Sequence, residues 1–244
     1  MERTLLEEAL RIVAAAEAAG VTLRLAGSLA IHRCAAASSA PLVAALGREI
    51  PGDIDFIATS GDWEAVDALL TAEGYAGDPD LGRAREWGIA RLIYEKPGVK
   101  IDVFFDKVEM SHTIDYRDRL ATADAAVAPA DLMLSKLQIH DVTEKDLIDL
   151  LVLLDGAELD LARVLSVLGE DWGFWYTAVV NLDKAAAFAG SHPGLDPERR
   201  GALVDQARSL RAHLDDAPKT RRWRMRARVG TRVRWYEPVE EVKR

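Results

Sequence analysis

Three aspartates carry the chemical signal in this chain. In the stretch "PGDIDFIATS" (51–60), Asp53 and Asp55 flank one isoleucine. In an extended strand that spacing puts both carboxylates on one face and leaves Ile54 on the other. Two carboxylates held this close raise each other's pKa unless a cation or a donor lies between them. A bland alternative has Asp53 as a turn residue after Gly52 and Asp55 as a solubilising residue of an edge strand. Asp102, in "VKIDVFF" (99–105), weighs against it, because it too is enclosed by apolar strand residues, where an uncompensated carboxylate is costly. Strands paired side by side would bring all three acids to one sheet face. Three hard oxygen ligands there suit Mg²⁺ or Mn²⁺, which take carboxylates, water and substrate phosphate. Gly27-Ser28 in "LAGSLAIH" (25–32) adds a glycine that lets a phosphate approach the backbone, with free N–H groups at a helix start and a hydroxyl.

The elements that must position these residues follow from periodicity. Apolar positions Leu5, Leu6, Leu10, Ile12, Val13 and Ala16 predict an amphipathic helix ending at Gly20. "VTLRLAG" (21–27) alternates as a strand, and helical spacing resumes over 28–37 with Ser28 as the expected N-cap. A loop containing Pro41 leads to the strand "DIDFIA", after which Ser60 caps an expected helix ending at Gly74, followed by a loop over 76–82. "ARLIYE" and "VKIDVFF", separated by "KPG", predict an antiparallel hairpin. Residues 1–106 therefore read αβαβαββ, a small mixed sheet with helices. From Pro129 the pattern is helical, with segments over 129–140, 144–156, 159–169, 171–189 and 197–214; Pro129 and Pro197 suit first turns, Asp160 a cap, and Gly156, Gly169 and Gly190 stops. The expected fold class is α/β (α+β): a core domain over 1–125, a helical domain over 126–218 and a basic tail over 219–244.

Composition narrows the setting. With 49% hydrophobic and 29% charged residues the chain is ordinary for a globular protein, which excludes a disordered one. The longest uncharged run has 14 residues (34–47), short of a membrane span, and "MERTLLEEAL" lacks a secretory layout. A cytoplasmic location away from the membrane is the expectation. Cys34 is the single cysteine, so a disulfide within the chain and a cysteine-rich zinc site are both excluded; it reads as a helix-packing residue. The net charge of −9 is uneven: residues 219–244 hold ten Lys or Arg against three acids, a tail at +7 beside a body at −16. In "RRWRMRARVGTRVRWYEP" the charges alternate with Trp223, Met225, Val229, Val233 and Trp235. A β-hairpin turning at Gly230-Thr231, whose arginines offset the acidic body, and a surface for nucleic acid are both open readings.

The ordered set "LAGSLAIH … PGDIDFIA … VKIDVFF" resembles the DNA polymerase β-like nucleotidyltransferase superfamily over roughly residues 20–106. The likeness extends to "LSKLQIHDVTEKDLIDLLVLL" (134–154), which is similar to the helical segment of AbiEii-type abortive-infection toxins. One departure is spacing: 24 residues separate Ser28 from Asp53, which reads as an insertion around 38–50. His32 and Arg48 flank it and are either substrate contacts or plain helix surface and loop. The resemblance implies an enzyme whose Asp53 and Asp55 hold one metal ion on an NTP and share a second with Asp102, the catalytic acids. It implies that Gly27, Ser28, Lys136, Lys145 and Asp146 bind the nucleotide, with Lys136 near its phosphates and Lys145, Asp146 and Asp149 lining or bracing the cleft. In-line attack at the α-phosphorus would then transfer a nucleoside monophosphate and release pyrophosphate.

Acceptors of two classes fit. Toxins of the resembled group act on RNA, including a tRNA end, and imply a cognate antitoxin partner; other superfamily members modify a small molecule such as an aminoglycoside, and the acidic body suits a cationic antibiotic. A catalytically silent protein of the same fold that binds nucleotide or a partner is the third reading.

Overall fold

The computed structural model describes residues 4–35, 39–49, 52–77 and 91–239. The expected loop beyond residue 77, residues 36–38 and 50 of the expected helix and insertion, and the last five residues of the tail lie outside them. Helices α1 (Leu5–Ala18), α2 (Gly27–Cys34), α3 (Ala40–Ala45) and α4 (Trp63–Ala72) alternate with strands β1 (Leu23–Ala26), β2 (Asp53–Ala58), β3 (Ala76–Gly77), β4 (Arg91–Lys96) and β5 (Val99–Phe105). A small pair, β6 (Lys107–Glu109) and β7 (Thr113–Asp115), follows. Then come α5 (Pro129–Leu137), α6 (Glu144–Gly156), α7 (Leu161–Glu170), α8 (Trp172–Ser191), α9 (Pro197–Asp216) and α10 (Arg221–Val229). The fold is mixed α/β. It divides into two compact units: Met1–Arg33, Ile50–Val108 and Ile114–Ala128 form one, and Cys34–Glu49, Glu109–Thr113 and Pro129–Arg244 form the other.

The first unit is built on a five-stranded sheet in the order β1-β2-β5-β4-β3, with β2 and β5 parallel and the other neighbours antiparallel. Alternation divides its two faces. Leu23, Leu25, Ile54, Phe56, Ala58, Leu92, Tyr94, Ile101, Val103 and Phe105 are buried on one, where α1 packs across β1 and β2. The register places Arg24, Asp53, Asp55, Lys100, Asp102, Arg91 and Glu95 together on the other. The β4–β5 hairpin turns at Pro97-Gly98, with Gly98 at φ 80°, as a Pro-Gly turn requires. Behind the apolar face, Glu8 of α1 accepts from Arg11 (3.0 Å), Tyr75 (3.0 Å) and Lys96 (2.5 Å). Arg11 foremost, with Lys96 and Tyr75, holds its carboxyl far below the ordinary range against the opposing effect of burial.

Two local readings change. Ser28 does not cap α2: β1 ends at Ala26 and the helix begins at Gly27, whose φ of 63° turns the chain by itself, so Ser28 already lies within the first turn. The tail is not a β-hairpin. Thr220 caps α10 by accepting from the Trp223 N–H (3.2 Å), Gly230 at φ 60° ends it, and a short 3₁₀ turn (Gly230–Arg232) follows. The reason is propensity: Arg, Met and Ala are good helix formers, and 221–228 contains no β-branched residue to favour a strand.

In the second unit the helices begin where the sequence signals placed them. Pro129 and Pro197 open α5 and α9, and Asp160, Asp171 and Asp196 cap α7, α8 and α9 through their side chains. Gly169, expected as a stop, lies one residue inside its helix end, and there the Pro218 carbonyl occupies the place a Cβ would need, 2.6 Å away. An aromatic cluster fastens the tail. Trp235 donates to the Thr177 hydroxyl (3.1 Å), which also meets His112 Nε2 (2.9 Å), and Tyr236 stacks on His140 at 3.5 Å. An indole N–H only donates, so Thr177 accepts from Trp235 and its own proton is free to go to a neutral His112. Burial pushes His112 down to about 4, and the nearby His140 adds to this while Asp171 opposes it.

A histidine depressed on folding stabilises the native state above its ordinary value and loses that contribution as pH falls. The account predicts that the second unit loses stability between pH 6.5 and about 4. Urea unfolding followed by tryptophan emission measures it, and His112→Gln should flatten that part of the profile.

Candidate functional site

The first unit brings Gly27, Asp53, Asp55 and Asp102 together. Asp55 and Asp102 are direct partners across parallel β2 and β5, and Ala26, the residue before Gly27, is the partner of Asp55 on the other side. Side chains at partnered positions stand on the same face about 5 Å apart. Asp53 lies two residues along that face, partnered by Lys100. Exposure falls in order: Asp53 is exposed, Asp55 half-buried and Asp102 buried.

Gly27 is fixed by two requirements. Its positive φ is one, and the other is that a Cβ at this position would overlap the Asp55 carboxylate. That carboxylate therefore lies against bare backbone at the start of α2, where the positive end of the helix dipole favours it. Ser28 stands next to it in the sequence, half-buried in the first turn.

Asp102 is held by two cations. Arg91 Nε and Nη2 reach its Oδ1 at 3.1 and 2.9 Å, and Lys100 Nζ reaches its Oδ2 at 3.0 Å. Both cations are partly exposed, and Arg91 also lies over the Phe104 ring, its cross-strand partner, at 5.3 Å. Sequence reasoning passed over both. Lys100 was legible, two residues before Asp102 on the same strand face; Arg91 needed the β4–β5 register.

The fit to a divalent cation differs among the acids. Asp53 and Asp55 offer hard oxygens on one face, the donor chemistry that Mg²⁺ and Mn²⁺ take. Both Asp102 oxygens are engaged by Arg91 and Lys100. As the side chains stand, no group of three Asp, Glu, His or Cys among the described residues is arranged to hold a metal ion.

The second unit carries Lys136, Lys145, Asp146 and Asp149. Lys136 Nζ meets Asp146 Oδ1 at 2.9 Å and Asp149 Oδ2 at 3.0 Å, and Arg48 grips the fully buried Asp149 with Nε at 2.9 Å and Nη2 at 3.2 Å. Asp146 also closes the capping box of α6, accepting from the Thr143 hydroxyl (2.7 Å) and N–H (3.1 Å). Burial alone would lower the Lys136 ammonium, but Asp149 and Asp146 outweigh it and raise it. Burial likewise would raise Asp146, and Lys136 and Thr143 bring it down. The expected phosphate ligand thus neutralises two acids of its own unit. Lys145 lies apart from this network and pairs with Glu49 at 3.1 Å, both largely exposed. Arg48, weighed as loop surface or substrate contact, is a buried partner of Asp149.

Among the described residues no helix is long and apolar enough to cross a membrane. No protein-family model and no curated protein matches the chain.

Removing one partner of a buried charge network strands the other, at about 3–5 kcal/mol, whereas an exposed pair contributes about 0–1 kcal/mol. Asp149→Ala should therefore destabilise the second unit by several kcal/mol in denaturant unfolding, and Lys145→Gln should leave the midpoint nearly unchanged.

Proposed function

We propose that the chain is a nucleotidyltransferase that takes an NTP and moves its nucleoside monophosphate to an acceptor hydroxyl, using the sheet face that bears Asp53, Asp55 and Asp102. The observation that carries this reading is the partnership of Asp55 with Asp102 across parallel strands, with Asp53 on the same face and the Gly27 backbone against Asp55. Carboxylates gathered at neighbouring sheet positions repel one another, and a bound cation relieves that repulsion.

The chain's own residues divide the work. Asp53 and Asp55 are the ligands for Mg²⁺ or Mn²⁺, which when bound would neutralise phosphate charge and polarise the α-phosphorus. Gly27 leaves room for the Asp55 carboxylate, and the backbone N–H groups at the start of α2 favour a phosphate beside the cation that Asp55 would hold. Arg91 and Lys100 hold the Asp102 carboxylate in place and add two positive charges where the triphosphate brings negative ones. The acceptor oxygen forms a bond to the α-phosphorus, the bond to the bridging oxygen of pyrophosphate breaks, and the hydroxyl proton passes to a carboxylate of the same face. The resemblance noted from the sequence supports the same reaction, with RNA or a cationic small molecule as acceptor.

One observation favours a second reading, a catalytically silent nucleotide-binding protein: the engagement of both Asp102 oxygens leaves a two-acid site as the side chains stand.

Incubation with Mg²⁺, α-phosphate-labelled NTPs and either total RNA or an aminoglycoside panel decides between them. Label transfer that falls by about 10³-fold or more in Asp53→Asn and in Asp55→Asn is expected. Transfer retained in both variants overturns the assignment, and NTP binding without transfer by the unaltered protein establishes the silent reading.

A further inference from the structure

The geometry points to α10 as a binding surface for the phosphate backbone of nucleic acid, separate from the carboxylate face of the first unit. Among the described residues the contacts that fasten the helix lie on one side. Trp223 meets Trp175 edge to face at 5.2 Å, and Arg226 lies over Trp172 at 4.9 Å. Arg226 also donates to the carbonyls of Gly230 (2.7 Å) and Val233 (2.9 Å), which fixes the chain that follows. The Thr220 N–H bonds the Gly169 carbonyl at 3.0 Å and ties the helix start to α7.

The opposite side presents Arg221, Arg224 and Arg228 at i, i+3 and i+7, lining with Met225 an open recess of about 310 Å³. Arg222 on the helix and Arg232 and Arg234 just beyond it are exposed as well. Among the described residues none of these six arginines forms an ion pair, although the chain as a whole is acidic. Unneutralised guanidinium groups kept together on an anchored helix repel one another, and a polyanion removes that repulsion. The run from Arg221 to Arg228 spans ~10 Å of helix, the axial rise of about three nucleotides of one strand.

The side-chain types select nucleic acid over a lipid surface. A helix lying in a membrane interface buries a broad face of Leu, Phe or Trp, whereas the large apolar side chains exposed on and just beyond α10 are Met225, Val229 and Val233, set among arginines. Arginine's planar fork matches phosphate oxygens in pairs.

Fluorescence anisotropy of the full chain with a labelled 20-nucleotide RNA, without NTP or divalent metal, tests this apart from any transfer reaction. The logarithm of the affinity should fall linearly with the logarithm of salt concentration. Arg224→Gln/Arg228→Gln should weaken binding roughly tenfold and reduce the salt slope by about 1 for each arginine. Lys184→Gln/Arg208→Gln removes the same charge from exposed positions elsewhere on the second unit and should change neither. Equal losses in the two double variants, absence of RNA binding, or binding only to anionic lipid vesicles overturns the proposal.

Discussion

The structure of the first unit turns on one register, the parallel pairing of β2 with β5 that sets Asp55 beside Asp102. A shift of one residue would carry the aspartates to the apolar face and Ile54, Phe56, Ile101 and Val103 to the polar one. Burial of those four side chains, each worth about 1.5–3 kcal/mol, therefore fixes the register. The acids come along as a consequence. Their repulsion is offset at each end: Arg91 and Lys100 hold Asp102, and the start of α2 lies against Asp55. The hydrophobic face thus supplies the stability that lets the polar face concentrate like charge.

The two units handle charge in different ways. In the second, buried charges are matched one against another: Lys136 stands between Asp149 and Asp146, Arg48 also meets Asp149, and Arg163 meets the buried Asp131 at 3.0 Å. Such closed networks specify helix packing more than they add stability, since desolvation consumes much of the attraction. On α10 the reverse holds, with arginine unmatched among the described residues on the exposed side and an aromatic cluster securing the inner side. Matched charge inside and unmatched charge outside is the distribution expected where the one builds and the other binds.

Much of this was legible in the sequence because the signals are local. The spacing of Asp53 and Asp55, the Pro-Gly turn of the β4–β5 hairpin, and the caps and prolines of the helical half each depend on a few neighbouring residues. The clamp on Asp102 was half visible: Lys100 shares its strand, but Arg91 reaches it across a pairing no single segment encodes. Gly27 was singled out as phosphate-friendly, whereas its second constraint, the Asp55 carboxylate against its backbone, is a contact between distant parts of the chain. The tail misled because alternating charge has the period of a strand, while the helix propensity of Arg, Met and Ala, an N-cap at Thr220 and anchorage by Trp223 prevailed. Lys136 shows the limit of motif reasoning: its place in the segment was plain, its two carboxylate partners were not.

The central claim is that the carboxylate face of the first unit is where an NTP and its cation bind. A crystal of the protein grown with Mn²⁺ and a non-hydrolysable NTP tests it most directly, since anomalous scattering locates manganese independently of the protein density. The account predicts an anomalous peak bonded to the carboxylates of Asp53 and Asp55, with the triphosphate beside it at the start of α2. Nucleotide bound elsewhere, or manganese absent from both carboxylates while nucleotide is present, would contradict it.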